Sequence, residues 1–184
     1  MGIMTFALNV TLDGCIDHRV GIADEALHDY FTGLMDAAGA MLFGRTTYEM
    51  MESAWPSVAR DENASRSMRE WAQKLEDKPK FVVSASRTDF PWKNTFRIHG
   101  DLKTEMLALK EKTPRGVLVG SPMLSLALER LGLFDEYRIA MHPVLAGRGP
   151  TLFQGLDPSR QLELLDMHRL KSGVIVTHYR RKET

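Results

Sequence analysis

The chain predicts an α/β sandwich, a mixed and mostly parallel sheet flanked by helices and closed by an antiparallel C-terminal hairpin. Three observations carry this. Short, wholly apolar runs, Ala40-Met41-Leu42-Phe43, Phe81-Val82-Val83 and Val117-Leu118-Val119, have the composition of strands covered on both faces. Segments with apolar residues at helical spacing alternate with them. From Glu136 onward the helical pattern stops, and strand-like segments flank Lys171-Ser172-Gly173 as a hairpin.

In chain order, Phe6 to Val10 reads as a strand that ends at the turn-forming Leu12-Asp13-Gly14. Asp24 is placed to cap a helix whose inward face is Leu27, Tyr30, Phe31, Leu34, Met35 and Ala38, ending at Gly39. The Ala40–Phe43 strand leads to a helix opening at Arg45, and Trp55-Pro56 is expected to break it. Met68, Trp71, Ala72 and Leu75 mark the next helix, stopped before Pro79. After Phe81–Val83, a strand near Thr95 to Ile98 precedes a helix capped by Asp101, with Leu102, Met106 and Leu109 inward and Lys110 and Lys112 at its negative end. Val117–Val119 is followed by Gly120-Ser121-Pro122, which opens a helix with Leu124, Leu128 and Leu131 on one face. Glu136 to His142, Leu162 to Leu170 and Val174 to Arg180 complete the strands. The segment Val174 to Tyr179 is partly apolar on both faces, as an unprotected edge that pairs with a partner would be, so a homodimer is expected.

With 184 residues, 43% of them hydrophobic, the chain is the size of one domain with a sizeable core, taken as 1–184. Twenty-four basic and 24 acidic residues cancel, giving no electrostatic reason for a nucleic-acid or anionic-membrane partner. Cys15 is alone and the N-terminus lacks the pattern of a signal peptide, which suits a cytoplasmic protein. No apolar run approaches the ~18 residues a bilayer span needs. The six histidines are scattered singly, so no metal site is expected.

The residues with chemical content gather where three parallel strands end. Gly44-Arg45-Thr46-Thr47, Ser84-Ala85-Ser86-Arg87 and Gly120-Ser121-Pro122-Met123 all fall on the sheet edge where α/β proteins bind ligands. Two helix N-termini, with unpaired N–H donors and positive dipole ends, suit separated phosphates, and Arg45 adds fixed charge. Arg87 with Ser84 or Ser86 suits a ribose 2′-phosphate, which favours NADPH over NADH. The same turns also satisfy plain strand-to-helix geometry, with threonine as a cap and the Ser/Arg loop solvated. Neither G-x-G-x-x-G after the first strand nor G-x-x-x-x-G-K-[ST] is present, which removes Rossmann and P-loop readings.

Five blocks in this order, Thr11-Leu12-Asp13-Gly14, Phe43-Gly44-Arg45-Thr46-Thr47-Tyr48-Glu49, Gly120-Ser121 with Leu124, Leu133 to Ile139, and His142 to Phe153, resemble the dihydrofolate-reductase-like family that includes the reductase domain of riboflavin-biosynthesis deaminase/reductases. The resemblance covers nearly the whole chain and implies a three-layer sandwich, NADPH across the strand ends, a small-molecule substrate and a homodimer. It assigns Gly44, Arg45, Thr46 and Thr47 to the pyrophosphate and adenosine side, Ser84 and Arg87 to the 2′-phosphate, and Val119, Gly120, Ser121, Pro122, Met123 and Leu124 to the second phosphate-binding helix start. Asp13 falls where the family's first loop meets nicotinamide and substrate, as a proton source or as a turn residue. Leu12, Tyr48 and Trp55 are candidate walls of the substrate cleft, although an aromatic after a helix start is more often core. Val119 stands where riboflavin-pathway reductases carry an acidic residue, and no deaminase module precedes it, both pointing away from the riboflavin substrate. The expected activity is NADPH-dependent hydride transfer to a small heterocyclic or carbonyl compound. A nucleotide-binding protein without turnover, or one using a flavin or mononucleotide, is the alternative.

Overall fold

The computed structural model of the chain describes residues 1–182. β1 (Met4–Thr11) is followed by α1 (Glu25–Ala37), β2 (Ala40–Gly44), α2 (Arg45–Val58), α3 (Arg66–Asp77), β3 (Lys80–Val83) and β4 (Thr95–Ile98). Then come α4 (Leu102–Lys112), β5 (Val117–Val119), α5 (Pro122–Arg130), β6 (Glu136–His142), β7 (Leu162–Arg169) and β8 (Ile175–Arg181). The strands form one eight-stranded sheet in the order β4-β3-β2-β5-β1-β6-β8-β7. β4 to β6 run parallel and β8 antiparallel to both neighbours, so the expected α/β architecture with its antiparallel C-terminal hairpin is what forms.

Alternation along the central strands sorts the core into two layers. Met41, Phe43, Leu118 and Ala7 face α1, α2 and α3, packing with Met35, Tyr48, Trp71 and Leu75. Leu42, Val117, Val119 and Phe6 face the other way, against Met106 and Leu109 of α4 and Leu128 of α5. The caps foreseen for α1 and α4 form: Asp24 accepts from the Leu27 N–H at 2.8 Å and Asp101 from the Thr104 N–H at 2.9 Å. Lys80, wholly buried, donates its ammonium to the carbonyls of Leu75, Glu76 and Lys78 at the end of α3.

Three local expectations need correction. α2 runs through Trp55-Pro56 to Val58. Pro56 lies in its last turn, where the missing N–H forfeits one bond; Ala59 N–H still donates to the Trp55 carbonyl at 3.0 Å, and Trp55 is anchored on Trp71. Leu131 follows α5 and is exposed, because the helix ends at Arg130. The edge at the C-terminal end of the sheet is β7, not β8, which hydrogen-bonds to β6 and β7 on its two sides. The apolar residues read as an edge, Val174 and Val176, are buried with Leu27 and Ala140. Among the described residues no helix is long and apolar enough to cross a membrane.

Candidate active site

Parallel registry places the C-terminal ends of β3, β2, β5 and β1 side by side. The turns after β2 and β5 are joined directly: the Gly44 N–H donates to Ser121 Oγ at 2.9 Å. A Cβ at Gly44 would stand 3.3 Å from Leu124 Cβ, a tight contact that α5 would have to ease by a few tenths of an ångström, so the close approach of α5 favours glycine; its φ of −79° would suit any residue. Because the Ser121 hydroxyl is engaged by Gly44, it does not cap its own helix, and Gly44 has no side chain to cap α2. The other three helices each carry a side-chain cap, from Asp24, Ser65 or Asp101. Two helix N-termini are thus left side by side with open backbone donors, those of Arg45, Thr46 and Thr47 on α2 and of Met123 and Leu124 on α5. Pro122 contributes a preset φ and no donor. Arg45 is about half exposed, and its one ion pair is a loose 3.4 Å contact with Glu49.

Val119 is a fully buried strand residue and reaches the site only through the chain it delivers to Gly120. Met123 is the most exposed apolar side chain in the molecule's described part. At the end of β3, Ser84 is buried and its Oγ accepts the Arg87 N–H at 2.9 Å. The Arg87 guanidinium does not stand free: Nη2 donates to both Glu52 oxygens at 3.0 and 2.8 Å, Nε donates to the Asp89 carbonyl at 2.7 Å, and the group lies 5.1 Å over the Tyr48 ring.

Beside these turns, on the α1–α2 side of the sheet, opens a cleft of about 410 Å³. Thr47 and Gly120 line it, so it is continuous with the two open helix N-termini. Its walls include Leu27 and Phe31 from α1, Met50, Met51 and Trp55 from α2, and Trp71 from α3. Trp55 is therefore a cleft wall as expected, its indole N–H directed to Met51 Sδ at 3.2 Å. Tyr48 is not: it is fully buried under Phe90 and Trp92, its hydroxyl donates to Glu52 at 2.9 Å, and burial raises its pKa to about 12. Leu12 is largely exposed and lies outside the cleft lining.

Asp13 is also set apart from the cleft. Its carboxylate accepts from Thr11 Oγ1 and from the backbone N–H groups of Ala146 and Gly147, the latter at 3.1 and 2.7 Å. These bonds, that of Thr11 foremost, pull its pKa down to about 2. An aspartate so held is a clamp between the first loop and the 146–147 turn, and an ionised one cannot donate a proton at neutral pH.

The place of His142 before Pro143 marks it as a structural residue at the end of a strand, and that is where it lies, at the end of β6; His28 in the cleft was not foreseen. His142, nearly inaccessible, accepts the Ile22 N–H on Nδ1 at 2.9 Å, so its proton sits on Nε2 and goes to Asn9 Oδ1 at 3.0 Å. Burial lowers its pKa, consistent with a neutral ring. It anchors the loop over the cleft, and both of its nitrogens are committed. His28 lines the cleft from α1, packs edge-on against Trp55, and uses Nδ1 to meet the Asp24 carbonyl at 2.9 Å. That bond leaves Nε2 as its open nitrogen. An isolated histidine carries no spacing signal, which is why His28 did not stand out.

A family model described as the RibD C-terminal domain matches residues 3–176. The uncharacterized protein YyaP of Bacillus subtilis (strain 168) is 27% identical over 176 residues, 94% of this chain and 91% of its own length. Among solved structures, dihydrofolate reductase from Enterococcus faecalis complexed with NADP(H) superposes with a TM-score of 0.64 at 16% identity, covering 99% of this chain and 98% of that one. The diaminohydroxyphosphoribosylaminopyrimidine deaminase/5-amino-6-(5-phosphoribosylamino)uracil reductase of Thermotoga maritima gives a TM-score of 0.67 at 17% identity, covering 98% of this chain and 57% of that longer one. At these identities the two structural likenesses establish the dihydrofolate-reductase-like fold.

Proposed function

The chain belongs to the RibD C-terminal domain family, and from that premise we propose that it is an NADPH-dependent reductase acting on a small heterocyclic or carbonyl substrate. The observation that carries this reading is the pair of uncapped helix N-termini, locked together by the Gly44–Ser121 bond and opening into an apolar cleft. A pyrophosphate fits such a place: backbone donors converge from two helices, both dipoles are positive there, and Arg45 has a side chain free to join them. Ser84 and Arg87 form the 2′-phosphate end, where the phosphate competes with Glu52 for the guanidinium. When bound, the cofactor supplies a hydride.

The remaining steps fall to the chain itself. Thr47 and Gly120 lead from the phosphate turns into the cleft, and the walls from α1, α2 and α3 exclude water around the reacting ring. With Asp13 held as an anion, proton donation falls to His28 in its doubly protonated form: Nδ1–H is given to the Asp24 carbonyl, and the proton on Nε2, open at the cleft wall, is the one passed to substrate, leaving the neutral ring. Titration of the protein with NADPH and NADH, read by nicotinamide fluorescence, tests the reading. Tighter binding of NADPH is expected, and binding of neither overturns it. Binding of NADPH without oxidation by any carbonyl or heterocycle would support a nucleotide-binding protein without turnover instead.

For the homodimer, the contact is assigned to β7, an edge strand that exposes Leu164, Leu165 and Met167. Light scattering at micromolar concentration should give twice the 20.8 kDa chain mass, and Met167→Lys should halve it. A monomeric mass for the wild type refutes the dimer.

A further inference from the structure

We propose that the cleft accepts an uncharged one- or two-ring compound with a carbonyl or ring-nitrogen acceptor, bearing neither a phosphate nor a cationic ring; this rests on the reductase reading above. Such a substrate differs from both compounds in the names of the structural neighbours, dihydrofolate and a phosphoribosylaminouracil, each of which carries charge.

The exclusion of a phosphate follows from the lining. Among the described residues that form the cleft there is no lysine and no arginine. The loop arginine next in sequence to the lining, Arg19, is bonded to Asp17 through Nη2 at 2.6 Å and Nε at 2.9 Å, with its side chain 77% exposed. A phosphoester entering walls of Leu27, Phe31, Met50, Met51, Trp55 and Trp71 would leave water without a counter-charge. Arg45 lies outside the lining, with the helix start assigned to the cofactor.

The exclusion of a cationic or amidine-bearing ring follows from the carboxylates. Asp17 is the one carboxylate in the lining, and besides the Arg19 guanidinium its Oδ1 accepts the Arg19 N–H at 3.0 Å. Asp24, Glu25 and Asp29 on or beside α1 do not line the cleft: Asp24 caps the helix, and Glu25 and Asp29 meet Arg66 on the surface.

What the cleft offers instead is an amide, imidazole rings and apolar surface. His142 accepts from Ile22 on Nδ1 and so presents a proton to Asn9 Oδ1, which orients the Asn9 amide with its NH2 group without a hydrogen-bond partner among the described residues. That NH2 is a donor in the cleft wall, suited to a carbonyl oxygen or ring nitrogen, and His28 stands in the same lining. Met50 and Met51 supply polarizable, adaptable contacts to a flat ring. A volume of about 410 Å³ accommodates the nicotinamide ring together with one or two substrate rings.

The test is calorimetry on the full chain saturated with NADP⁺, which prevents turnover and fills the phosphate turns. α-Tetralone and quinoxaline serve as uncharged probes, uridine 5′-monophosphate as the phosphorylated ring, and dihydrofolate as the pterin. The uncharged probes are expected to bind about tenfold more tightly than either charged compound. Met50→Arg, a change at a partly exposed wall position, should reverse the order by weakening the uncharged probes and strengthening the nucleotide. The proposal is overturned if uridine 5′-monophosphate or dihydrofolate binds the wild type as tightly as the uncharged probes, or if no probe binds. The preceding NADP⁺ titration keeps the two failures apart: absence of NADP⁺ binding sinks the reductase reading, whereas a wrong probe order with NADP⁺ bound sinks only the substrate class.

Discussion

Replacing Arg45 by alanine should separate cofactor affinity from stability. The side chain is about half exposed, and its ion pair among the described residues is with Glu49, at 3.4 Å and four residues along the same helix. Exposed pairs of that spacing contribute about 0.3–0.5 kcal/mol. In a protein of this size the melting temperature should therefore fall by only about 1–2 °C. Binding is another matter, because a guanidinium bonded to phosphate at a helix start makes a charge-assisted contact of about 1.5–3 kcal/mol. The Kd for NADPH should rise by about 10- to 150-fold. Arg45→Lys should recover part of that loss by keeping the charge without the fork. The assay is nicotinamide fluorescence titration at low and high salt, paired with thermal melting of the unliganded protein. The wild-type advantage should shrink as salt is raised. A Kd that changes less than about threefold, well under one charge-assisted bond, refutes the assignment of this helix start to phosphate. So does a loss of affinity matched by a collapse in melting temperature.

Glu52→Gln keeps an acceptor for the Tyr48 hydroxyl but weakens the hold on Arg87, so NADPH should bind several-fold more tightly with NADH unchanged; Arg87→Ala should lower NADPH affinity alone, and equal effects on both cofactors would remove the 2′-phosphate role. His28→Gln should lower turnover by about 10²-fold or more while leaving NADPH affinity and the melting temperature unchanged, a split that a merely structural role would not produce. Asp13→Asn should keep turnover and lower the melting temperature: the folded-state pKa of about 2 lies below the ordinary 3.8, so the clamp's contribution is complete above pH 3.8 and lost as pH falls through about 2. The melting difference between Asp13→Asn and wild type should accordingly vanish toward pH 2. Lys80→Met leaves three carbonyls at the end of α3 without their donor and should cost about 2–4 kcal/mol in urea unfolding, with no loss counting against the cap.

Local signals made most of the frame legible. Strands buried on both faces announce themselves as apolar runs, and Asp24 and Asp101 announce helix starts because capping acts over three residues. The position of β8 was not legible, since pairing such as Glu136 with Arg180 joins segments more than forty residues apart, and Val174 and Val176 have the same pattern whether buried by α1 or by a partner. The choice between the two roles left open for Asp13 was not legible for a similar reason: its acceptor role depends on N–H groups at 146 and 147, reached only through the fold. The phosphate turns were legible as glycine and serine at strand ends, but their lock, Ser121 on Gly44, was not. The cleft itself hid in plain pattern, because Leu27, Phe31, Met51 and Trp55 have the inward spacing of core residues and a cavity wall shares that period.

The central claim is that the open donors of α2 and α5 hold the cofactor phosphates, and backbone amide NMR of the labelled chain tests it most directly. On adding NADPH, the amide signals of Arg45, Thr46, Thr47, Met123 and Leu124 should shift most and exchange more slowly with solvent, while those of the capped first turns of α1, α3 and α4 stay in place. Saturable NADPH binding that leaves those five amides unmoved would contradict the account.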